Sequence, residues 1–444
     1  MNTILIIYPH WHPANLAGVQ RPRLIGNYLK ELDWLPRVLT VDAGYFEETP
    51  DPDFEKTFSD DFSVTRVKAF KVSKPRLIGD IGLRAFYQLY KEAKNIISKE
   101  QIDFIWLPIP SFYNALLGRL LYEKTKISYG IDYIDPWVRD ISNQNNLRAK
   151  LSQWIARVLE PIAIKKVSVI SGVSTPYFAP AIQRNFPSIA NKLLTTDFSH
   201  LTNKILNPNT LKPITHVGMP YGFDPNDHKI KLENLTYPWE STLLNPKSYH
   251  LKPKIWLYAG AFLPNSHILL DSFFKSISEL RKEGKWDKDI QLWFIGTGQY
   301  PAKRITAYAE DHEISDIVFE NRERYPFLKV LNFLSVADTV MIIGSTEEHY
   351  TASKTYQSLL SERPVLSIFH HKSSAVKVME DCKADQYTVR YKPKMTENDL
   401  VMEFKAVLSK RLSDQDWNPD LSALDQYSAK ESARKLVEAL EAVI

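Results

Sequence analysis

The feature that most constrains this chain is a regular alternation of short apolar runs with stretches of helical periodicity. In the amino-terminal half, runs rich in β-branched and aromatic residues predict six strands, over 4–8, 37–42, 62–70, 103–109, 127–135 and 167–174. Between them, apolar residues at three- and four-residue spacing predict helices over 19–32, 82–98, 114–125 and 147–166. Strands and helices in this order build a parallel sheet with right-handed crossovers.

A second series of the same kind follows. Its predicted strands are 254–262, 290–298, 317–320, 339–344, 364–369 and 386–391, and its predicted helices are 266–281, 301–311, 326–336, 353–362 and 373–381. The sequence therefore predicts an α/β protein with two doubly wound, Rossmann-like parallel-sheet domains.

The predicted boundary between the two domains lies in a segment that has neither the apolar runs of strands nor the apolar spacing of helices. We expect an amino-terminal domain over 1–224, a linker over 225–253 that is rich in Asn, Pro, Lys and Tyr, and a carboxyl-terminal domain over 254–428. Residues 185–213 look like an irregular insertion before the last strand of the first domain. Residues 429–444 form an amphipathic helix that must dock on another element.

Composition excludes several classes of protein. With 44% apolar residues and only 15 glycines in 444 residues, the chain is globular and neither fibrous nor of low complexity. A single cysteine, Cys382, excludes an internal disulfide and a thiolate-rich metal site, and it fits a reducing compartment. The first apolar run stops at Pro9, and no later apolar run is long enough to span a bilayer. We expect a cytoplasmic protein with no nucleic-acid partner.

Positive charge is concentrated in the first domain, where residues 1–224 hold 27 Lys and Arg against 21 Asp and Glu. Part of the excess lies in an apolar and aromatic stretch, at Arg66, Lys68, Lys71, Lys74, Arg76 and Arg84. This pattern fits an anionic membrane surface or a phosphorylated lipid, which would make the protein peripheral at the inner face of the membrane. A solvated loop gives the same pattern.

Ligands of open α/β sheets bind beyond the carboxyl ends of the strands. The first strand is followed by Pro9-His10-Trp11-His12-Pro13, which lacks the glycines of a dinucleotide or P-loop site. A dinucleotide-dependent oxidoreductase and a P-loop kinase are therefore not supported. Gly296-Thr297-Gly298 follows a later strand but lacks a third glycine, so it indicates only a close backbone approach.

Three further strand ends carry unusual polar residues. They read Asp135-Pro136-Trp137-Val138-Arg139-Asp140, Gly218-Met219-Pro220-Tyr221-Gly222-Phe223-Asp224 and the segment 347–357. In the last of these, Ser353 can cap the helix that follows, and Lys354 stands beside its exposed N–H groups. This combination suits a diphosphate, although a plain helix cap with a solvated lysine has the same sequence.

Taken in order, these segments resemble the nucleotide-sugar glycosyltransferases of the GT-B fold, in particular retaining family 4, over nearly the whole chain. Pro9, Gly18, Arg21 and Arg23 are similar to that family's first loop and helix. Ile134-Asp135-Pro136-Trp137 looks like its Asp-Pro-Trp signature, and Tyr221-Gly222-Phe223-Asp224 looks like its interdomain Asn-Gly-Phe-Asp. Segments 256–260, 292–298 and 353–366 are similar to its donor domain.

The resemblance implies two domains that face a cleft, with the terminal helix crossing back onto the first. It implies a nucleotide-sugar donor bound by the second domain and a glycan or lipid-linked acceptor bound by the first. The implied donor-binding residues are Gly18, Gly260, Gly296, Arg322, Glu348, Ser353, Lys354, Thr355 and Gln357. The implied acceptor-binding residues are His10, His12, Trp137 and Arg139, and the implied catalytic residues are Asp135 and His349.

The sequence also departs from the family. The family's paired glutamates fall on His349 and Gln357, of which the second can still accept a hydrogen bond from a ribose hydroxyl through its amide oxygen. Either His349 or Glu348 would then face the donor sugar. The basic residues that many relatives place after the first donor-domain strand are missing from 260–266, so Lys354, the helix end, and Arg322 or Arg324 would carry the leaving-group charge.

The leading hypothesis is a glycosyltransferase that acts with retention in cell-surface polysaccharide or glycoconjugate synthesis. No metal or other cofactor is expected, because a lysine at a helix end can stabilise a departing diphosphate. Two other hypotheses stay open. One is a sugar-nucleotide epimerase or hydrolase, and the other is a non-catalytic partner subunit, which the missing glutamates favour.

Overall fold

The computed structural model describes residues 1–72, 79–139, 147–195, 205–240, 253–262, 264–298, 303–348, 354–414 and 416–444. Contacts divide the chain into two compact units. The first unit comprises Met1–Asp224 together with Tyr427–Ile444, and the second comprises Pro225–Gln426. No helix in the described ranges is long and apolar enough to cross a membrane.

The first unit is built on a seven-stranded parallel sheet with the order β3-β2-β1-β4-β5-β6-β7. Its strands are β1 Asn2–Ile7, β2 Trp34–Val41, β3 Ser63–Val67, β4 Phe104–Ile109, β5 Ser128–Tyr133, β6 Val169–Gly172 and β7 Thr215–Gly218. Ile4 to Ile7 are fully buried, as expected of a central parallel strand that has helices on both faces.

Eight helices belong to the described part of the first unit. They are α1 Ala17–Gly26, α2 Ile81–Arg84, α3 Phe86–Lys99, α4 Ala115–Thr125, α5 Leu147–Ile164, α6 Thr175–Asn185, α7 Ala190–Thr195 and, from the carboxyl-terminal segment, α14 Ala429–Glu441. Helix α14 buries Leu436 and Leu440, and it packs against α1 and β7.

The second unit repeats the plan on a six-stranded parallel sheet with the order β10-β9-β8-β11-β12-β13. Its strands are β8 Lys254–Ala259, β9 Ile290–Ile295, β10 Val318–Asn321, β11 Thr339–Ile343, β12 Val365–His370 and β13 Thr388–Tyr391. Its helices are α8 His267–Lys282, α9 Ile305–Asp311, α10 Phe327–Leu334, α11 Lys354–Leu360, α12 Ser374–Asp381 and α13 Glu397–Ser413. The prediction of two doubly wound parallel sheets is confirmed.

Several details differ from the prediction. The helix predicted over 82–98 is two helices, because Ala85 between them has a non-helical backbone (φ −106°, ψ 3°). Helix α6 was not predicted, and α7 lies inside the segment expected to be irregular. Helix α13 was also missed, although Thr396 and Asp399 form a reciprocal capping box at its start.

A fully buried ion pair holds the first unit together. Arg21 on α1 donates from Nε to Oδ2 of Asp132 on β5 over 3.1 Å, and both side chains are completely buried. Arg21 also donates to the carbonyl oxygens of Met219 and Pro220 after β7. Oδ1 of Asp132 accepts from the Ser171 hydroxyl on β6 at 2.7 Å. One charged pair thus links a helix to three neighbouring strands.

Replacement of Arg21 by Met should destabilise the first unit strongly. The change leaves the Asp132 carboxylate buried without its counter-charge, a loss of about 3–5 kcal/mol of unfolding free energy. Urea denaturation followed by circular dichroism measures the effect. The double variant Arg21→Met/Asp132→Val should recover most of the loss, because no buried charge is then left unpaired.

Lys30→Met is the matched control, because Lys30 pairs with Asp61 at the surface of the same unit. Its expected cost is at most about 1 kcal/mol. Equal losses for Lys30→Met and Arg21→Met would contradict the role given to the buried pair.

Candidate functional site

The strand order of the second unit indicates where a ligand binds. The order reverses between β8 and β11, so their carboxyl ends lie side by side with crossovers leaving in opposite directions. Open α/β sheets bind ligands at such switch points. The segment after β8 begins at Gly260, and the segment after β11 leads to Lys354 at the start of α11.

Lys354 reaches across this switch point. Its Nζ donates to the hydroxyl of Tyr258 over 2.7 Å and to the carbonyl oxygen of Ala261 over 3.1 Å. The same atom lies 4.2 Å from the centre of the Tyr258 ring. No carboxylate of the described residues pairs with it, and burial lowers the pKa of Lys354 to about 7. The switch point therefore holds an amine that has no counter-charge among the described residues.

Two glycines with positive φ angles lie close to each other after β8 and β9. The φ angle of Gly260 is +125°, and a Cβ atom there would lie 2.6 Å from Cε of Lys354. Gly296, with φ +68°, follows β9 and lies next to the Gly260 backbone. The positive φ angle favours glycine at position 260, and a side chain there would require the flexible end of Lys354 to move.

Helix α11 adds two polar groups from the predicted set. The hydroxyl of Thr355 is buried and makes no hydrogen bond to the described residues. Oε1 of Gln357 accepts from Nε2 of His228 over 2.6 Å, so the oxygen expected to bind a ribose is already engaged. Its amide nitrogen donates to none of the described residues.

His228 is the residue of this site that the sequence analysis missed. It lies in a 3-10 helix, Pro225–Lys229, that was expected to be linker. Its Nδ1 atom is buried and has no partner in the described part of the chain, and burial lowers the pKa of His228. No local sequence signal connects it to Gln357, because the two lie 129 positions apart.

The other predicted donor residues are placed differently. Nε of Arg322 donates to the carbonyl oxygen of Gly298, and the exposed Glu348 pairs with Lys372. Gly18 lies in the first unit, where a Cβ atom would collide with the hydroxyl of Tyr8. His349 and Ser353 lie outside the described residues.

In the first unit, the predicted residues lie near the carboxyl ends of β1 and β5. Arg139 donates from Nε to the carbonyl oxygen of Pro136, and its Nη2 is 3.8 Å from Oδ2 of Asp135. The ring of Trp137 is buried and stacks on Phe112. It therefore anchors the segment that carries Asp135 and Arg139.

The two histidines of the first loop are partly buried. Nε2 of His10 lies 3.5 Å from Glu48, and burial is the largest cause of its lowered pKa. The pKa of His12 is lowered by burial and then by Arg66, which donates to the carbonyl oxygen of His12. Both histidines are therefore neutral, hydrogen-bonding groups at pH 7.

The Arg66–Tyr90 stretch divides into two kinds of residue. Arg66 is bound to His12, and Arg84 is buried and paired with Glu47. Lys68, Phe70 and Lys71 are exposed, as is Tyr87. Residues 73–78, which include Lys74 and Arg76, lie outside the described ranges.

No family model matches this sequence, and no curated protein matches it either. Solved structures do match it over its full length. HepE of Anabaena, in complex with UDP and glucose, is similar with a TM-score of 0.56 and 12% identity, covering 100% of both chains. The E. coli trehalose-6-phosphate protein bound with UDP-2-fluoro glucose matches with a TM-score of 0.59 and 11% identity, again over 100% of both chains.

A third match is a Listeria monocytogenes protein assigned as a UDP-N-acetylglucosamine 2-epimerase, with a TM-score of 0.51 and 11% identity over 99% of this chain and 95% of that one. At sequence identities this low, structural similarity shows a shared fold and does not show a shared chemistry. The chain has the two-domain GT-B α/β fold.

Proposed function

We propose that this protein is a glycosyltransferase that moves a sugar from a nucleoside diphosphate sugar to a glycan or lipid-linked acceptor. The second unit binds the donor and the first unit binds the acceptor. The anomeric configuration is retained, as in family 4, and the product belongs to a cell-surface polysaccharide or glycoconjugate. The protein works in the cytoplasm.

The observation that carries this proposal is the amine of Lys354. It lies at the switch point of the second sheet, beside two glycines in backbone conformations that suit a close ligand, and it lacks a carboxylate partner among the described residues. A diphosphate supplies the missing negative charge. The proposal is further supported by neighbours of the same fold that hold UDP and UDP-2-fluoro glucose.

The chemistry assigns a task to each group. As the bond between the anomeric carbon and the diphosphate oxygen breaks, Lys354 stabilises the negative charge that develops on that oxygen. The departing phosphate takes the proton of the acceptor hydroxyl, whose oxygen bonds to the anomeric carbon on the same face. Asp135 orients that hydroxyl, and His349 or Glu348 faces the donor sugar.

The remaining donor contacts come from α11 and the segments around it. Ser353, Thr355, Gly260 and Gly296 surround the diphosphate, and Arg322 adds positive charge nearby. Gln357, held by His228, presents its amide nitrogen to the ribose. In the first unit, the acceptor is bound by His10, His12, Trp137 and Arg139.

Two other functions have specific support. An epimerase or hydrolase fits the similarity to the Listeria protein, since it would use the donor alone or with water. A non-catalytic partner subunit fits the replacement of two expected glutamates by His349 and Gln357. Incubation with a panel of nucleotide sugars, in which transfer, hydrolysis and epimer formation are scored separately, distinguishes the three. We expect transfer.

Binding of a nucleoside diphosphate should take up a proton above pH 7. The free amine of Lys354 is half-charged near its pKa of about 7, and an adjacent diphosphate raises that pKa because it favours the ammonium form. Affinity should therefore fall by up to about eightfold between pH 7.5 and 8.5, as the protonated fraction of the free protein is lost. Calorimetry with UDP, GDP and dTDP, in buffers of different ionisation enthalpy, measures the affinity and the number of protons taken up on binding.

Two variants of Lys354 test the same site. Lys354→Ala should weaken diphosphate binding by about 1.5–3 kcal/mol, the contribution of a charged hydrogen bond. Lys354→Arg keeps a permanent charge, so its binding should show no proton uptake. Unchanged affinity of Lys354→Ala for every nucleotide that binds the wild type would remove the site assignment.

Transfer should be independent of divalent metal. Asp51 and Asp53 have Asp-x-Asp spacing, but Asp51 is buried and accepts from Asn15, while Asp53 pairs with Lys56. Treatment with EDTA should leave the rate of transfer within about twofold, since Lys354 already supplies the charge. Loss of transfer with EDTA and its return with Mg²⁺ or Mn²⁺ would contradict the mechanism.

The exposed basic residues of the first unit should serve a phosphorylated lipid acceptor. Lys68 and Lys71 are exposed beside Phe70, and Lys74 and Arg76 follow in sequence. Changing all four cations to Ser should lower transfer to a lipid-linked diphosphate at least about tenfold, given about 1 kcal/mol for each cation near an anionic surface. Transfer to a water-soluble acceptor is the control and should be unchanged. Equal loss with both acceptors would contradict a role in lipid recognition.

A further inference from the structure

Helix α5 of the first unit exposes a continuous line of large apolar side chains. Its members lie three or four positions apart and are between 46% and 81% exposed: Leu147, Leu151, Trp154, Val158 and Ile162. At 3.6 residues per turn, the five fall within about 80° of arc along the whole helix. Isolated apolar residues on a surface are ordinary, but an aligned set of five on one helix marks an interaction site.

The line of apolar side chains is not the face by which α5 packs on its own unit. The opposite side of the helix buries Ala156, Ala163 and Ile164, and α5 packs there against α4 and α6. Helix α5 is therefore apolar on two opposite sides. The outer side has no partner within the described part of the chain.

Charges border the exposed apolar line on both sides, and all of the exposed ones are positive. Lys150 and Arg157 lie along one border, Arg148 lies along the other, and Lys165 follows the helix. The only acidic residue of α5, Glu160, is 1% exposed and is held inward by Arg184. Neither Lys150 nor Arg157 forms an ion pair with any described residue.

We propose that the outer face of α5 docks on an anionic lipid membrane. An apolar stripe that contains a tryptophan and is bordered by lysine and arginine is the pattern of a helix that lies in the plane of the membrane interface. The apolar side chains enter the boundary between headgroups and acyl chains, and the cations contact anionic headgroups. Trp154, at the centre of the stripe, is suited to the interface because its ring is amphipathic.

Charge argues against a second copy of the chain as the occupant. In a two-fold contact the same face meets itself, so Lys150 and Arg157 of each copy would meet only cations and no exposed acid. Like charges brought together at an interface oppose association. An anionic lipid surface supplies the complementary charge along the whole helix.

This inference deepens the peripheral association suggested for a lipid-linked acceptor, and it assigns the membrane contact to α5. It does not require transfer chemistry, because binding to vesicles is measured without donor or acceptor. Failure of one proposal is therefore distinguishable from failure of the other.

Flotation of the purified full chain tests the proposal. Vesicles of phosphatidylcholine with phosphatidylglycerol should carry the wild type to the top of the gradient, and vesicles of phosphatidylcholine alone should carry much less. The variant Leu151→Ser/Trp154→Ser/Val158→Ser should bind the mixed vesicles at least about 100-fold more weakly, because it removes the inserted apolar surface. The variant Lys150→Ser/Arg157→Ser should bind them about 30-fold more weakly, given the contribution of two cations near an anionic surface.

The matched control replaces apolar residues that are exposed elsewhere on the chain, with Val336, Met402 and Ile444 all changed to Ser. This control should float like the wild type. All variants alter exposed side chains, and thermal melts verify that they fold.

Three outcomes would overturn the proposal. One is the absence of wild-type flotation on the mixed vesicles, and another is equal flotation of the wild type and the triple α5 variant. The third is a wild type that does not float but forms a dimer in sedimentation, with the triple α5 variant monomeric. That result would assign the face to a second copy.

Discussion

A carboxylate placed inside a sheet, where water does not reach it, sets the organisation of the first unit. Asp132 on β5 must be neutralised, and Arg21 does so from α1 while it also holds the carbonyl oxygens that follow β7. The segment after β7 then receives α14, because Ala429 donates its backbone N–H to Phe223 and packs against Gly222 at φ +88°. The pair thus links the central sheet to the end of the chain. A buried pair is costly to break, so these elements are fixed relative to one another.

The strands were predictable because central parallel strands are buried on both faces and therefore read as short, continuous apolar runs. Helix α13 was missed for the opposite reason, since its buried residues, Leu400, Val401, Phe404 and Leu408, are separated by many charged positions. Its capping box, Thr396 with Asp399, was the available signal. The break at Ala85 could not be foreseen, because the apolar periodicity on both sides of it is helical.

The candidate site was predictable in part. The order of strands in a doubly wound sheet is enough to bring the segment after β8 next to the segment after β11, so Gly260 and Lys354 could be expected to meet. The amine's environment could not be predicted, because it depends on the ring of Tyr258 and on burial. The same holds for His228, which binds Gln357 through a contact between distant parts of the chain.

Helix α5 shows why the environment of a helix is harder to predict than its existence. Periodicity predicted a helix over 147–166, but its apolar residues form two stripes, and a sequence does not say which of them faces the sheet. In α5, the size of the side chains distinguishes the two stripes. The inner stripe contains Ala156 and Ala163, which allow close approach to neighbouring helices, whereas the outer stripe contains Trp154 and the large aliphatic residues. A protein whose only need was a stable core would place its largest apolar side chains inside. Their position outside, between cations, fits a contact with a surface that the described part of the chain does not supply.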